Sequence, residues 1–260
     1  MPGVRRPLDA TSQVTSPQRR ERIPPPATFP FSARTLPRAA AGARLSADAG
    51  AAQFESGRKT LLLLRHGATA PNSERRFIGS TDHPLSSFGR RQLTTAASSL
   101  RAYNPERCFC SPMRRCLETA RAVLAGSPLQ PEILPELREI DFGDWEGKTF
   151  EETQTSNQAC IQHWAKFDPA FCFPGGERLA DFISRVKRAA KQISSSPHSS
   201  VVVVTHGGVI RLLICHFLGL RMRKYVLFEP APGSLTVMNL FDSGKGTLAA
   251  LLPGGRPQDG

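Results

Sequence analysis

Leu61-Leu62-Leu63-Leu64-Arg65-His66-Gly67 and Val201-Val202-Val203-Val204-Thr205-His206-Gly207-Gly208 share one plan: four apolar residues, a basic or hydroxyl residue, His, then Gly. Such runs, without polar alternation, suit strands covered on both faces, and in an open α/β sheet the ligand crevice lies at the strands' carboxyl ends. Both histidines are therefore expected to face one crevice. A single histidine at a strand end is ordinarily a polar residue opening a loop, but two in matching contexts 140 residues apart point to a site.

Outward from these runs, strands alternate with helices. The pattern predicts a strand over 60–64, a helix from the N-cap Ser86 to about Tyr103, and a strand over 107–110. A helix opens at Ser111-Pro112 and runs through Val123 until Gly126 stops it. A short strand over 132–134, a helix over 150–167 and a break at Pro174-Gly175-Gly176 come next. Leu179, Phe182, Ile183, Val186, Ala189, Ala190 and Ile193 recur at helical spacing and predict a long amphipathic helix before the Val201 strand. A helix over 209–218 and strands over 235–240 and 247–252 close the domain. The expected fold class is α/β, three-layer, with a mostly parallel central sheet flanked by helices.

Composition sets the outer limits. A hydrophobic fraction of 40% is enough for a real core, and no apolar run approaches the roughly 20 residues that span a bilayer, so no membrane association is expected. The six cysteines form no CxxC pairs, which argues against a zinc site or a disulfide framework and for a reducing compartment, the cytoplasm. Residues 1–57 hold eight Arg, no Lys, four acids and Pro24-Pro25-Pro26, with no apolar periodicity; they read as a disordered extension ahead of a domain over 58–260. The extension is Arg-rich and acid-poor, as organelle transit peptides are, but a plain extension is the commoner case. The formal charge of +12 lacks the aromatic interleaving of a nucleic-acid surface, so it reads as a preference for small anionic molecules, with no nucleic-acid partner. A homodimer is compatible with the sequence and not required by it.

Five segments in order carry a family resemblance. They are Arg65-His66-Gly67 with Asn72 and the later Gly79, Asp82, Pro84-Leu85 and Gly89; Ser111-Pro112-Met113-Arg114-Arg115; Leu137-Arg138-Glu139 running on to Phe142-Gly143-Asp144-Trp145-Glu146-Gly147; Pro174-Gly175-Gly176-Glu177; and Thr205-His206-Gly207-Gly208. Together they resemble the histidine phosphatase superfamily, whose fold is phosphoglycerate mutase-like, over about residues 60 to 241. The Phe-Gly-x-Trp-Glu-Gly stretch looks most like the small phosphatases of broad specificity and of the α-ribazole phosphate type.

The resemblance implies a nucleophilic histidine, His66, and an acid, Glu139, that protonates the leaving group and then activates water. A neutral imidazole can attack phosphorus, and cationic neighbours keep its lone pair available by disfavouring the imidazolium. Arg65, Arg115, Asn72 and His206 can supply donors to the equatorial oxygens of the transferring group. Neither a metal nor a cofactor is expected, because the arginines can neutralise that charge.

Competing readings are weaker. Arg114 and Arg115 stand about 100° apart on a helix, so only one faces the crevice; the resemblance picks Arg115, and Arg114 then reads as solvated or salt-bridged. A helix cap is the alternative reading of His206, and Glu136, Asp141, Asp144 and Glu146 rival Glu139 but read mostly as surface acids. His83, His163, His198 and His216 lack comparable contexts. Cys108 and Arg114 have the spacing of cysteine-dependent phosphatases, but the segment between them has no glycine and includes Pro112, so it cannot turn its amides onto a phosphate. Ala68 and Arg178 depart from the family pattern and are expected to alter the substrate pocket. With only 34 residues between Glu139 and Pro174 and no Pro-rich lid among them, water is expected to reach the site, so hydrolysis of a small phosphorylated metabolite is the favoured activity. A phosphoglycerate mutase and a non-catalytic phospho-ligand-binding module are the alternatives.

Overall fold

The computed structural model describes residues 58–255; the expected extension over 1–57, and any targeting role for it, lie outside the described residues. The elements are β1 (Lys59–Arg65), α1 (Ala70–Ser73), α2 (Ser87–Arg101), β2 (Arg107–Cys110), α3 (Arg114–Val123), β3 (Pro131–Ile133), α4 (Phe150–Ser156), α5 (Gln158–Ala165), α6 (Leu179–Ser194), β4 (Ser200–Thr205), α7 (Gly207–Phe217), β5 (Leu235–Leu240) and β6 (Gly246–Leu252). Six strands form one sheet in the order β3-β2-β4-β1-β5-β6. The first four run parallel, while β5 and β6 add an antiparallel margin. Among the described residues no helix is long and apolar enough to cross a membrane.

The unbroken apolar runs are explained by two cores, one on each face of the sheet. Leu61, Leu63, Val201 and Val203 enter the core shared with Phe182 and Val186 of α6 and Val209 and Leu213 of α7. Leu62, Leu64, Val202 and Val204 enter the other, with Leu93 and Leu100 of α2 and Ala120 and Val123 of α3. None of these eight strand residues is more than 1% exposed. At about 1.5–3 kcal/mol for each fully buried aliphatic side chain, the two central strands anchor the sheet from both sides.

Three expectations shift. The helix foreseen at Ser111-Pro112 begins at Arg114, because Ser111 keeps an extended bond, its N–H donating to Val204 O at 3.0 Å, and Met113 is still extended at φ −66°, ψ 139°. The helix foreseen over 150–167 is two helices, broken at Asn157 (φ −151°, ψ 55°). Just before the break, the hydroxyls of Thr153, Thr155 and Ser156 bond back to the carbonyls of Thr149, Glu151 and Glu152, which competes with a straight helix. The third strand lies one residue earlier than its foreseen 132–134.

The first turn of α2 docks on the loop that follows His66. Ser86 caps the helix by accepting the Gly89 N–H at 2.9 Å, and its own N–H and hydroxyl donate to Ala68 O. A Cβ on Gly89 would stand 2.0 Å from Ala68 O, a contact that backbone must move to relieve. Gly89→Ala is therefore expected to cost about 2 kcal/mol. A chemical-denaturation midpoint equal to the wild type would contradict that contact.

Candidate active site

Three strand ends converge on the site. Parallel pairing sets Arg65 beside Thr205, and the His66 N–H continues the ladder to Thr205 O at 3.0 Å, so His66 and His206 leave adjacent strands together. Ser111 leaves β2 on the other side of β4. The two imidazoles lie 5.2 Å apart, edge to face at 61°. His206 occupies the N-cap position of α7, but its side chain makes no capping bond, so capping is not its use.

The tautomers follow from the partners. His66 Nδ1 lies 2.8 Å from Gly67 O, and a carbonyl only accepts, so Nδ1 carries the proton and Nε2 keeps its lone pair. Burial, then the charges of Arg65 and Arg115, hold the His66 pKa well below its usual value, and it is 3% exposed. Arg115 Nε donates to His206 Nδ1 at 3.2 Å, which leaves the His206 proton on Nε2, facing Ser111 Oγ at 2.8 Å. Burial first, then Arg115, lowers His206 in the same way. Both nitrogens of His206 are therefore engaged within the protein.

The two guanidinium groups differ. Arg115 is wholly buried and fixed by His206, by Thr81 O at 2.8 Å and by Gly79 O at 2.8 Å, which occupies three of its five N–H donors. Arg65 donates to Pro230 O at 2.8 Å, while its buried Nε has no partner among the described residues. Burial lowers the Arg65 pKa to about 10, Glu139 opposing that shift and Arg211 and Arg115 adding to it. Arg114, as expected, is exposed and pairs with Glu118 at 2.7 Å.

Glu139 sits at the N-terminus of α7, where its Oε2 accepts the Gly208 N–H at 2.9 Å. A Cβ at position 208 would stand 2.4 Å from Glu139 Oε1, so the second glycine of the Gly-Gly pair is the room the carboxylate occupies. Asn72 Oδ1 accepts the Thr69 N–H and hydroxyl at 3.0 and 2.9 Å, which turns the amide nitrogen away to donate elsewhere. A cavity of about 260 Å³ is lined by Arg65, Asn72, Glu139, Gly207 and Gly208, and on its apolar side by Phe77, Phe142, Trp164 and Tyr225. Trp145 backs that wall, 5.8 Å from Trp164. His66, Arg115 and His206 are not among the lining residues; they lie buried. Neither Ala68 nor Arg178 lines the cavity; the Ala68 N–H is tied to Gln92, and Arg178 is the N-cap of α6.

Several supporting residues escape the sequence pattern. Glu146, which reads as a surface acid, gathers the N–H groups of Gly79, Ser80 and Phe142 and the hydroxyl of Thr81 at 2.8–3.2 Å. It thereby shapes the loop whose carbonyls hold Arg115. Arg185 grips Glu177 through two nitrogens, at 2.7 and 2.8 Å, and donates to Glu139 O at 2.9 Å. The only sequence signals were the motifs around Glu146 and Glu177, and nothing in the sequence singles out Arg185. Cys108 is fully buried with its thiol pushed up to about 12, unsuited to act as a thiolate. None of His83, His163, His198 and His216 lines the cavity. Among the described residues no group of three or more His, Cys, Asp or Glu is arranged to hold a metal.

A neutral imidazole with a free lone pair, two guanidinium groups and a carboxyl beneath a parallel sheet edge mark an α/β enzyme of phosphoryl chemistry. Comparison with known proteins narrows the class. Residues 61–251 match the model of the histidine phosphatase superfamily (branch 1), and the chain belongs to that superfamily. The adenosylcobalamin/α-ribazole phosphatase of Salmonella typhimurium is 32% identical over 197 residues, 74% of this chain and 95% of that protein. A crystal structure of a putative α-ribazole-5′-P phosphatase from Escherichia coli superposes with a TM-score of 0.69 at 28% identity, covering 76% of this chain and 98% of that one. A mycobacterial glucosyl-3-phosphoglycerate phosphatase complexed with VO3 gives 0.66 at 28% identity, covering 76% and 100%. The chain is a phosphatase of that superfamily.

Two outcomes are expected. Because His66 and His206 are held below 6.5 in the folded state, the unfolded chain binds protons that the folded chain refuses as pH falls through 6.5. Stability is then lost toward acid by up to about 1.4 kcal/mol per pH unit per histidine, with half-buried His216 adding in the same direction. Denaturation curves between about pH 7 and pH 5.5 measure the slope, which His206→Asn should reduce. Glu146→Ala should lower kcat/KM on the order of 10²-fold through displacement of Arg115, although Glu146 is outside the cavity lining. Unchanged kinetics would show that the 79–81 loop holds Arg115 without it.

Proposed function

We propose that the chain hydrolyses small phosphomonoesters through a phosphohistidine on His66. Nε2 attacks phosphorus as the ester P–O bond breaks, and the leaving oxygen takes the proton of the Glu139 carboxyl. Water then attacks the phosphohistidine, gives its proton back to Glu139, and the P–N bond breaks to release inorganic phosphate. The ester and one water become alcohol and phosphate, and the enzyme returns to its starting state.

The observation that supports this reading most is the His66 Nδ1–H bond to Gly67 O at 2.8 Å, beside two arginines. It leaves Nε2 of a neutral ring with its lone pair at neutral pH. Arg115 has two N–H groups beyond those in its three protein bonds, and Arg65 has its unpartnered Nε, so both can hold equatorial oxygens. At 3% exposure, His66 is reached only as neighbouring side chains give way to the phosphoryl group. His206 donates to that group once its Nε2–H leaves Ser111. The names of the relatives, α-ribazole phosphatase and glucosyl-3-phosphoglycerate phosphatase, support a small phosphorylated metabolite as substrate.

With p-nitrophenyl phosphate, His66→Ala should abolish turnover and Glu139→Gln should lower it about 10²- to 10⁴-fold. Rapid quench with a ³²P-labelled ester should trap an acid-labile adduct on His66, and EDTA should leave the rate unchanged. Turnover without that adduct, or its loss to chelator, overturns the mechanism.

A further inference from the structure

Arg211 is the cavity residue that phosphoryl transfer leaves without a task. It lies on α7 four residues after Gly207, the same helix face, about 6 Å further along the axis. The Arg65 guanidinium passes over Gly207, where a Cβ would stand 3.3 Å from Arg65 Cζ. The two arginines therefore line one cavity about a helical turn apart, near enough for Arg211 to lower the Arg65 pKa. Arg211 Nε is buried with no hydrogen-bond partner among the described residues, and no ion pair of its side chain occurs there. Arg76, the third cation of the cavity, is by contrast paired with Glu74 at 2.6 Å and Glu152 at 3.1 Å. Among the described residues Glu139 is the one carboxylate lining the cavity, and α7 already engages it through the Gly208 N–H.

A guanidinium whose Nε is buried without a partner, beside another of the same sign, is costly unless a ligand brings negative charge to it. The transferred phosphoryl group faces Arg65 and Arg115. Resting on the phosphomonoesterase reading, we propose that Arg211 binds a second anionic group on the substrate, a carboxylate or phosphate carried by the leaving alcohol. The body between the two anions lies against the apolar wall of Phe77, Phe142 and Tyr225. Arg211 is thus a specificity-determining residue: its planar fork suits either oxyanion and offers nothing to a neutral substituent.

Three aryl esters test this on the intact chain: 4-carboxyphenyl phosphate, 1,4-phenylene bisphosphate assayed as the first phosphate released, and the neutral 4-carbamoylphenyl phosphate. The amide has a better leaving group than the carboxylate, so intrinsic reactivity runs against the expected preference. Wild-type kcat/KM should favour one of the esters with a second anionic group over the amide by about tenfold or more, chiefly through KM. The better of the two identifies the second anion. Arg211→Gln should collapse that ratio to within about twofold, and Arg211→Lys, a charge without the fork, should restore part of it. A wild-type ratio near one overturns the proposal, and needs no variant to fold. An equal loss on all three esters in Arg211→Gln also overturns it, since Arg211 then serves the transferred group or the fold. Should the wild type hydrolyse none of them, the phosphatase reading fails instead, and calorimetric Kd values for the same esters on His66→Ala decide the Arg211 assignment by the same tenfold criterion.

Discussion

The parallel register between β1 and β4 is the constraint on which the site depends. With Arg65 opposite Thr205, the next residue of each strand is a histidine, and the His66 N–H to Thr205 O bond carries the ladder one step past the strands. A slip of one residue would send every side chain of β1 to the opposite face and part the two imidazoles. The slip is opposed by both cores at once, since alternate Leu and Val residues of these strands are buried in each. The pairing of β2 with β4 adds Ser111 to the same edge, where its hydroxyl meets His206.

Around that edge, charge is positioned by backbone. Arg115 is held by two carbonyls of the 79–81 loop, the loop is gathered by Glu146, and the backbone of Glu139 is held by Arg185. Each of these supports is a charged group satisfied by several hydrogen bonds, the condition under which charge survives burial. The product is a pair of neutral histidines among cations, a state that burial and the arginines favour together. Preorganisation of this kind suits a reaction in which most of the work is holding phosphate oxygens in place.

The fold class and the meeting of the two histidines were legible because both rest on local signals, the repeated apolar-run-His-Gly segment and helix spacing. Helix geometry allowed only one of Arg114 and Arg115 to face the crevice, and the family resemblance picked Arg115. What escaped depends on partners distant in sequence. Nothing in Glu146 itself distinguishes an acid in solvent from one that collects the amides of residues 79–81, and Arg185 resembles any polar residue beside an apolar helix stripe. The break at Asn157 was lost because hydroxyl-to-carbonyl bonds compete with the helix only weakly and in sum. The direction of β5 and β6 carries no mark in an apolar pattern. The engagement of both His206 nitrogens required the positions of Arg115 and Ser111 together.

The chain has two tryptophans, Trp145 and Trp164, and the cavity wall contains one with the other packed behind it. Native ultraviolet emission from the indoles therefore originates at a single place, beside the chamber a ligand enters. The molecule carries its own optical probe of occupancy, without any label attached.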